Sequence, residues 1–425
     1  MSAPWELSDN TKFPSMIQVL RQRNFALLWF AGLISMIGDW VLFIALPIHT
    51  YTLTHSSLAT GIMFMAGTLP RIFVGSLAGV FVDRWDRRQT MVIADFSRMI
   101  LLLLLLLVRS SESIWIIYVV AFLQATISQF FGPAENSLLP QLVDKSLLVP
   151  ANALNALNNN LARLAGPALG GLLLGLFGFQ NVVLVDSISF LISGILIALI
   201  VPSAPASIPE TSDDSFASRP KLWEDWISGL QFIRQNSTVY LIFLVMGIAG
   251  IAEGLFNVMF VIFVSQNLRG GALEFGWLTS AQAIGGLIGG LAIGWIGYRF
   301  RPNRLTGLLA LNGVLILILI SLASLPWAIA LILLAGLPIV GFSVGVDTLL
   351  QGNVPDQFRG RVFGALGTSM AICVLLGQGS ASLLGDQLGT VPLLMIKGIL
   401  DIAAGLLAFT LLYNVKGSLS APEME

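Results

Sequence analysis

Two carboxylates sit inside long apolar stretches, where a charge is costly. Asp39 interrupts the stretch 24–50, and Glu253 interrupts 238–264 at the matching point. An ionisable side chain in a bilayer core costs at least about 2.5–3.5 kcal/mol, so each needs a function or a partner. Asp39 lies about fifteen residues into its stretch, which at 1.5 Å per residue is about 22 Å, near mid-depth. A carboxylic acid removed from water can take and release a proton near neutral pH, which is the chemistry proton coupling requires. The bland alternative is a structural pair with a cation such as Arg163 or Lys397. Arg163 cannot readily lose its charge, so it either pairs with an acid or attracts an anionic ligand. Asp95 and Arg98 lie three residues apart, and Lys397 and Asp401 four apart. Both spacings place the two side chains on one helical face, so two local ion pairs are expected. Asp186 and Asp347 have no evident assignment.

The surrounding composition says what must hold these groups. Of 425 residues, 56% are hydrophobic and only 11% charged, against about 25% charged in a soluble domain. Most of the surface therefore does not face water. A spanning helix needs about 20 apolar residues. Spans are predicted near 24–50, 57–82, 89–108, 114–133, 151–178, 181–201, 238–264, 275–298, 305–323, 327–350, 361–385 and 390–413. The expected fold class is an all-α membrane protein of twelve transmembrane helices. Sixteen of the 22 Lys and Arg fall on one side of this arrangement, among them Arg84, Arg87, Arg88, Arg299, Arg301 and Arg304. Only Arg109 and Arg269 fall on the other, and Arg71, Arg98, Arg163 and Lys397 lie within spans. Positively charged loops stay in the cytoplasm, so both termini are expected there, in a multi-pass protein of the cytoplasmic (inner) membrane. The first residues are polar, and no cleaved leader is expected.

A stretch rich in Ser, Pro and Asp, 202–237, reads first as a flexible linker. Its second part spaces Trp223, Trp226, Ile227, Leu230 and Ile233 as a helix would, so it lies along the membrane interface or packs on the protein's own loops. The linker divides the chain into a first six-span bundle (1–201), the linker itself (202–237), a second bundle (238–414) and a tail (415–425). A shift of about 215 residues superposes landmarks of the two parts: Gly61 on Gly276, Gly75 on Gly290, Gly79 on Gly294, Arg84 on Arg299 and Pro140 on Pro355. Two parallel six-span halves fit a known transporter architecture.

After the second span the sequence reads Gly79-Val-Phe-Val-Asp83-Arg84-Trp-Asp86-Arg87-Arg88. This resembles the loop G-x-x-x-D-R/K-x-G-R-R/K of the major facilitator superfamily, with Asp86 in place of the second glycine. The fifth span carries Gly166-Pro167-Ala-Leu-Gly170-Gly171, similar to that superfamily's antiporter motif. With the preceding ANALNALNNNLARLA, it resembles the siderophore- and macrolide-exporter branch. The span-4 arginine common in drug antiporters is missing, and Gln124 sits in that region.

The resemblance covers nearly the whole chain and implies a central cavity lined by spans 1, 4, 7 and 10. Asp39 and Glu253 would then face each other across it, with Met36, Gln124, Asn257 and Asp347 as further wall residues. It also implies that the loop is a latch. Gly75 and Gly79 would allow close helix approach, and Asp83 would accept hydrogen bonds from the N-terminus of span 11 near Gly360. Arg84, Arg87 and Arg88 would reach acids across the gap between the halves. Pro167 bends span 5, and the motif's bend is implied to seal the cavity.

The expected function is proton-coupled efflux of an amphipathic small molecule by alternating access. An importer or facilitator on the same fold, or a transport-inactive sensor, would fit the same residues. The expected partners are the substrate, protons and membrane lipids, and the chain is expected to be a monomer. A net charge of −1 gives no field for nucleic acid. One cysteine, Cys373, and two histidines, His49 and His55, make no metal site, and no cofactor is implied. Gly341-Phe-Ser343-Val-Gly345 matches a hydrolase elbow only in letters, because it lies in an apolar span. There is no phosphate-binding P-loop, and enzymatic chemistry is not expected.

Overall fold

The computed structural model of the protein describes residues 16–201, 231–296 and 302–412. The described chain is built of helices, as apolar sequence in lipid requires: every backbone N–H and C=O must be satisfied within its own segment. The principal helices are α1 (Arg23–Thr54), α2 (Ser57–Phe73), α3 (Gly75–Val82), α4 (Arg87–Leu103), α5 (Trp115–Leu142) and α6 (Leu148–Ala198). They continue as α7 (Ser237–Gln266), α8 (Ala272–Ile296), α9 (Leu308–Leu322), α10 (Leu325–Asn353), α11 (Asp356–Leu388) and α12 (Thr390–Leu411).

Among the described residues, ten helices are long and apolar enough to cross a membrane. This differs from the twelve read in the sequence for two local reasons. The expected span 57–82 breaks at Val74 into α2 and α3, and neither part reaches spanning length. The expected spans 151–178 and 181–201 form one helical run, α6, broken at Gly178, whose φ of 79° and ψ of 171° are not helical. A straight helix of 51 residues would be about 76 Å long, more than twice a bilayer core of about 30 Å. Instead α6 doubles back on itself. Gly166 in its first arm lies against Trp40 and Ile37, while Asp186 in its second arm lies against Gly38, so both arms reach the same level of α1. Gly389, with φ 81° and ψ 171°, turns the chain between α11 and α12 in the same way. Such a conformation favours glycine, which has no Cβ. His55 ends α1 with φ 49°, and Arg269 follows α7 with φ 51°, a second backbone feature that recurs in the later part of the chain. Helix α5 runs unbroken through Pro133 and Pro140, beyond its expected end.

In the first part of the chain, α1 and α4 pack on α6, and α2 and α4 pack on α5. In the second, α11 and α12 pack on α7, and α8 and α9 on α10. The two parts meet along α6 with α8 and α2 with α11. Glycines set these distances: a Cβ on Gly171 would strike the Ala272 backbone, and one on Gly276 would strike the carbonyl of Pro167. The outer surface is apolar, with Leu107, Leu291, Leu383 and Leu406 exposed. Such a surface suits lipid rather than water, and the chain is a multi-pass membrane protein.

Residues 202–230 of the linker and the tail lie outside the described residues, and with them Trp223, Trp226, Ile227 and Leu230; Arg299 and Arg301 do so as well. Only the turn 231–235 of the expected interfacial helix is described, and Ile233 there is buried.

Candidate functional site

Between the two parts lies a cavity of about 740 Å³. Its polar wall comes from Asp39, Arg98 and Gln124 on one side and Glu253, Asn257 and Gln378 on the other.

On the first side, Arg98 of α4 reaches Asp39 of α1 at 2.5 Å. The Asp39 side chain is 43% exposed and faces the cavity, whereas that of Arg98 is 8% exposed and stands behind it. The guanidinium is held by more than the ion pair. Its Nε donates to Gln124 Oε1 at 2.8 Å, and it lies over the Phe190 ring at 4.0 Å. Gln124 Nε2 donates in turn to the Arg98 carbonyl at 2.9 Å. The local pair expected between Arg98 and Asp95 is therefore corrected. Asp95 is fully buried and accepts from Ser193 Oγ of α6 at 2.6 Å. Tertiary contact with two different helices overrides the favourable spacing along α4. Asp186 is also fully buried, accepting from Ser189 Oγ at 3.2 Å beside Gly38.

On the second side, Glu253 projects into the cavity and makes no hydrogen bond or ion pair to another described residue. Its neighbour Lys397 donates to Asp401 at 2.6 Å, and both side chains are nearly closed to solvent. Asp401 also accepts from Asn312 Nδ2 at 2.7 Å, and the Lys397 ammonium lies 5.0 Å from the Phe256 ring centre.

A smaller chamber of about 290 Å³ shares Phe43, Phe64, Glu253 and Asn257 with the cavity. Its other walls are Trp40, Phe256, Phe260 and Phe275, together with Arg163, Thr279 and Gln282. Phe256 stacks on Phe260 at 4.5 Å, and Trp40 meets Phe43 edge-on at 5.3 Å. Arg163 makes no ion pair among the described residues, so the pairing with an acid that its charge suggested is not formed. Its guanidinium instead lies alongside Gly286 of α8.

Met36 and Asp347 line neither space: Met36 is half-buried in α1, and Asp347 is exposed on α10. Helix α10, expected as a cavity wall, contributes to neither. Helices α2 and α11 do so instead, through Thr68, Arg71, Met370 and Gln378. Gln378 Nε2 donates to Thr68 Oγ1 at 3.2 Å across the two parts. Arg71 was detectable by the argument that singled out Asp39, as a charge inside an apolar run.

The loop after α3 is arranged differently from the expected latch. Arg88 donates to the carbonyls of Ile197 and Ala198 at the end of α6, within its own half, rather than to an acid across the gap. This supplies the Ala198 carbonyl, which the helix end leaves without an intrahelical partner, and adds a second donor to Ile197, which already accepts from Ile200 N at 3.1 Å. Asp86 caps α4, its carboxylate accepting from Gln89 N at 2.7 Å. That contact gives a reason for an acid in place of the motif's glycine. Asp83 and Arg84 are exposed, and no hydrogen bond joins Asp83 to α11 among the described residues. A Cβ at Gly75 would come to 3.2 Å from Gln129 Oε1, but one at Gly79 would meet open space. Gly75 therefore lies close to the end of the Gln129 side chain, and Gly79 has no close neighbour. Arg87 has a buried Nε without a partner among the described residues.

The opposite end of the molecule is fastened across the two parts, which nothing in the sequence announced. The Asp386 carboxylate accepts from Ser57 N at 2.8 Å and Ser56 Oγ at 3.2 Å, capping the start of α2. Gln266 Nε2 donates to Tyr51 Oη at 2.7 Å. Just inside this end, Gly166 and Gly170 lie against Trp40 and Val41 of α1, and Pro167 and Gly171 against α8.

A family model described as transmembrane secretion effector matches residues 15–423. The chain is 24% identical over 387 residues to macrolide efflux protein A of Streptococcus pyogenes, covering 89% of this chain and 93% of that one. It is 28% identical over 384 residues to the multidrug efflux pump Tap of Mycolicibacterium fortuitum, covering 85% and 89%. Among solved structures, a bacterial homologue of the iron transporter ferroportin in an inward-facing state superposes with a TM-score of 0.72 at 15% identity. That match covers 91% of this chain and 98% of the other, and it shows the fold alone.

Proposed function

The chain belongs to the transmembrane secretion effector family of the major facilitator superfamily, and from that premise we propose that it exports an amphipathic small molecule in exchange for protons. The observation that carries this is the placement of two acids, Asp39 and Glu253, on the wall of one cavity between the two parts of the chain. A proton on either acid removes a charge from the cavity; a bound cationic or polar substrate compensates the same charge. The two ligands therefore compete for the acids, as exchange requires. The two efflux relatives support the outward direction.

In this reading the chain crosses the cytoplasmic membrane twelve times, with α2 and α3 as one pass and the two arms of α6 as two. The passes form two six-helix bundles, both termini are cytoplasmic, and the protein works as a monomer. Alternating access opens the cavity at one end while the other is fastened. The arrangement described here is fastened at the Asp386 end, and Arg71 and Gly367 extend the cavity wall toward the Asp83–Arg88 loop. The supported state is therefore inward-facing. Closing that end would bring Asp83 to the N-terminus of α11, where the helix dipole favours a carboxylate. Gly166, Pro167, Gly170 and Gly171 keep α1, α6 and α8 tightly packed beside the cavity and limit leakage.

Everted membrane vesicles test this with ethidium and erythromycin as probes. An imposed inward-acid gradient should drive uptake of at least one probe, and a protonophore should abolish it. Uptake that ignores the gradient, or proceeds only in right-side-out cells, would remove the proton-driven export reading.

A further inference from the structure

We propose that the smaller aromatic chamber is a subsite for a zwitterionic ligand, one that carries an amine, a carboxylate and a flat apolar group. The proposal rests on the export reading and deepens it. The chamber is lined by two residues of opposite charge, Arg163 from α6, which also borders an adjoining space beside Gly286 and Val340, and Glu253 from α7, and by two amides, Asn257 and Gln282. None of these four side chains has a hydrogen bond or ion pair to another described residue. Arg98, in contrast, already bonds Asp39 and Gln124. Arg163 and Glu253, both exposed side chains, line one chamber without meeting. Their donors and acceptors are left for a guest.

The chemistry of that guest follows from the set. An ammonium group satisfies Glu253, and a carboxylate matches the planar fork of Arg163, which can bind it through two parallel hydrogen bonds. A simple lipophilic cation would satisfy Glu253 and leave a like charge facing it from Arg163. A simple anion would meet the converse problem. The aromatic walls take a flat ring by stacking or edge contact, and the amides bond a neutral polar linker. At about 290 Å³ the chamber has room for one ring-bearing unit. The remainder of the ligand would extend past Phe43 and Phe64 into the larger cavity.

The test uses three ligands on one scaffold: phenylalanyl-phenylalanine, its C-terminal amide, and its N-acetyl form. Each is titrated calorimetrically into the purified full chain. The parent should bind about ten-fold tighter than either derivative, the worth of one charge-assisted hydrogen bond. Arg163→Gln should erase the difference between parent and amide, while Arg163→Lys keeps its sign. Glu253→Gln should erase the difference between parent and N-acetyl form. Equal binding of parent and amide to the unmodified protein would overturn the proposal, as would binding of none of the three. An undiminished preference in folded Arg163→Gln would do the same. If that variant does not fold, the ligand series on the unmodified protein decides alone. Gradient-driven vesicle uptake of ethidium or erythromycin separates the two readings: export of either without the preference loses the subsite and keeps the transporter, and the preference without export of either does the reverse.

Discussion

Arg98 holds Asp39 at 2.5 Å from behind, leaving the carboxylate open to the cavity, whereas Glu253 on the facing wall has no such cation bonded to it. The two acids are matched in sequence position and unmatched in support. Asp39 is set in a fixed orientation by Arg98, which Gln124 and Phe190 fix in turn. Glu253 has no bonded partner among the described residues to set its orientation.

The buried pair Lys397–Asp401 predicts a stability effect that depends on which partner is removed. Lys397→Met leaves Asp401 closed to solvent with Asn312 as its remaining polar partner. Losing one member of such a pair costs about 3–5 kcal/mol, whereas replacing both by apolar residues is often close to neutral. Thermal unfolding in detergent should show Lys397→Met well below the double variant Lys397→Met, Asp401→Leu. Equal losses in the two would show that the ion pair is not what the site protects.

The contact of α6 with α8 predicts a sharp contrast among glycines. A Cβ at Gly171 meets the Ala272 backbone, which cannot move aside, and one at Gly175 meets open space. Gly171→Leu should destabilise by about 1–3 kcal/mol through overpacking and abolish export. Gly175→Leu should leave both unchanged. Melting temperature and vesicle uptake measured on the two variants check this, and similar behaviour of both would contradict the packing account.

The cap that Asp386 places on α2 predicts a shift in conformational population. A helix-capping side chain is worth about 1 kcal/mol, so losing this one alters a two-state balance by about five-fold. Asp386→Ala, which removes both accepting oxygens, should weaken closure at that end. Spin labels near Tyr51 and Gln266, in a protein with Cys373 replaced, should report a larger fraction of long distances. An unchanged distance distribution would show that Asp386 only caps a helix.

How much of this was legible beforehand varied with the range of the interaction. The helical class followed from unbroken apolar runs, because lipid leaves the backbone no other partners. The Lys397–Asp401 contact followed from i,i+4 spacing. Arg98 defeated the same kind of argument, since i,i+3 spacing pointed to Asp95 while the fold supplied Asp39, 59 residues away. The Asp386–Ser57 contact spans 329 residues and leaves no local trace. Met36 and Asp347 were misplaced for a related reason. A helix that is apolar on every side gives no periodicity from which to read its rotation, so which residues face a cavity emerges only on packing. The same holds for α10, whose place on the cavity wall α2 and α11 take.

The most direct measurement of the central claim compares two modes of transport in proteoliposomes holding Asp39→Asn or Glu253→Gln. One is export of a probe driven by a pH gradient; the other is exchange of labelled for unlabelled probe without a gradient. At least one variant should keep exchange and lose the response to the gradient, because the cavity still alternates but no longer carries the proton. Gradient-driven export at the unmodified rate in both variants would place proton coupling elsewhere and contradict the account.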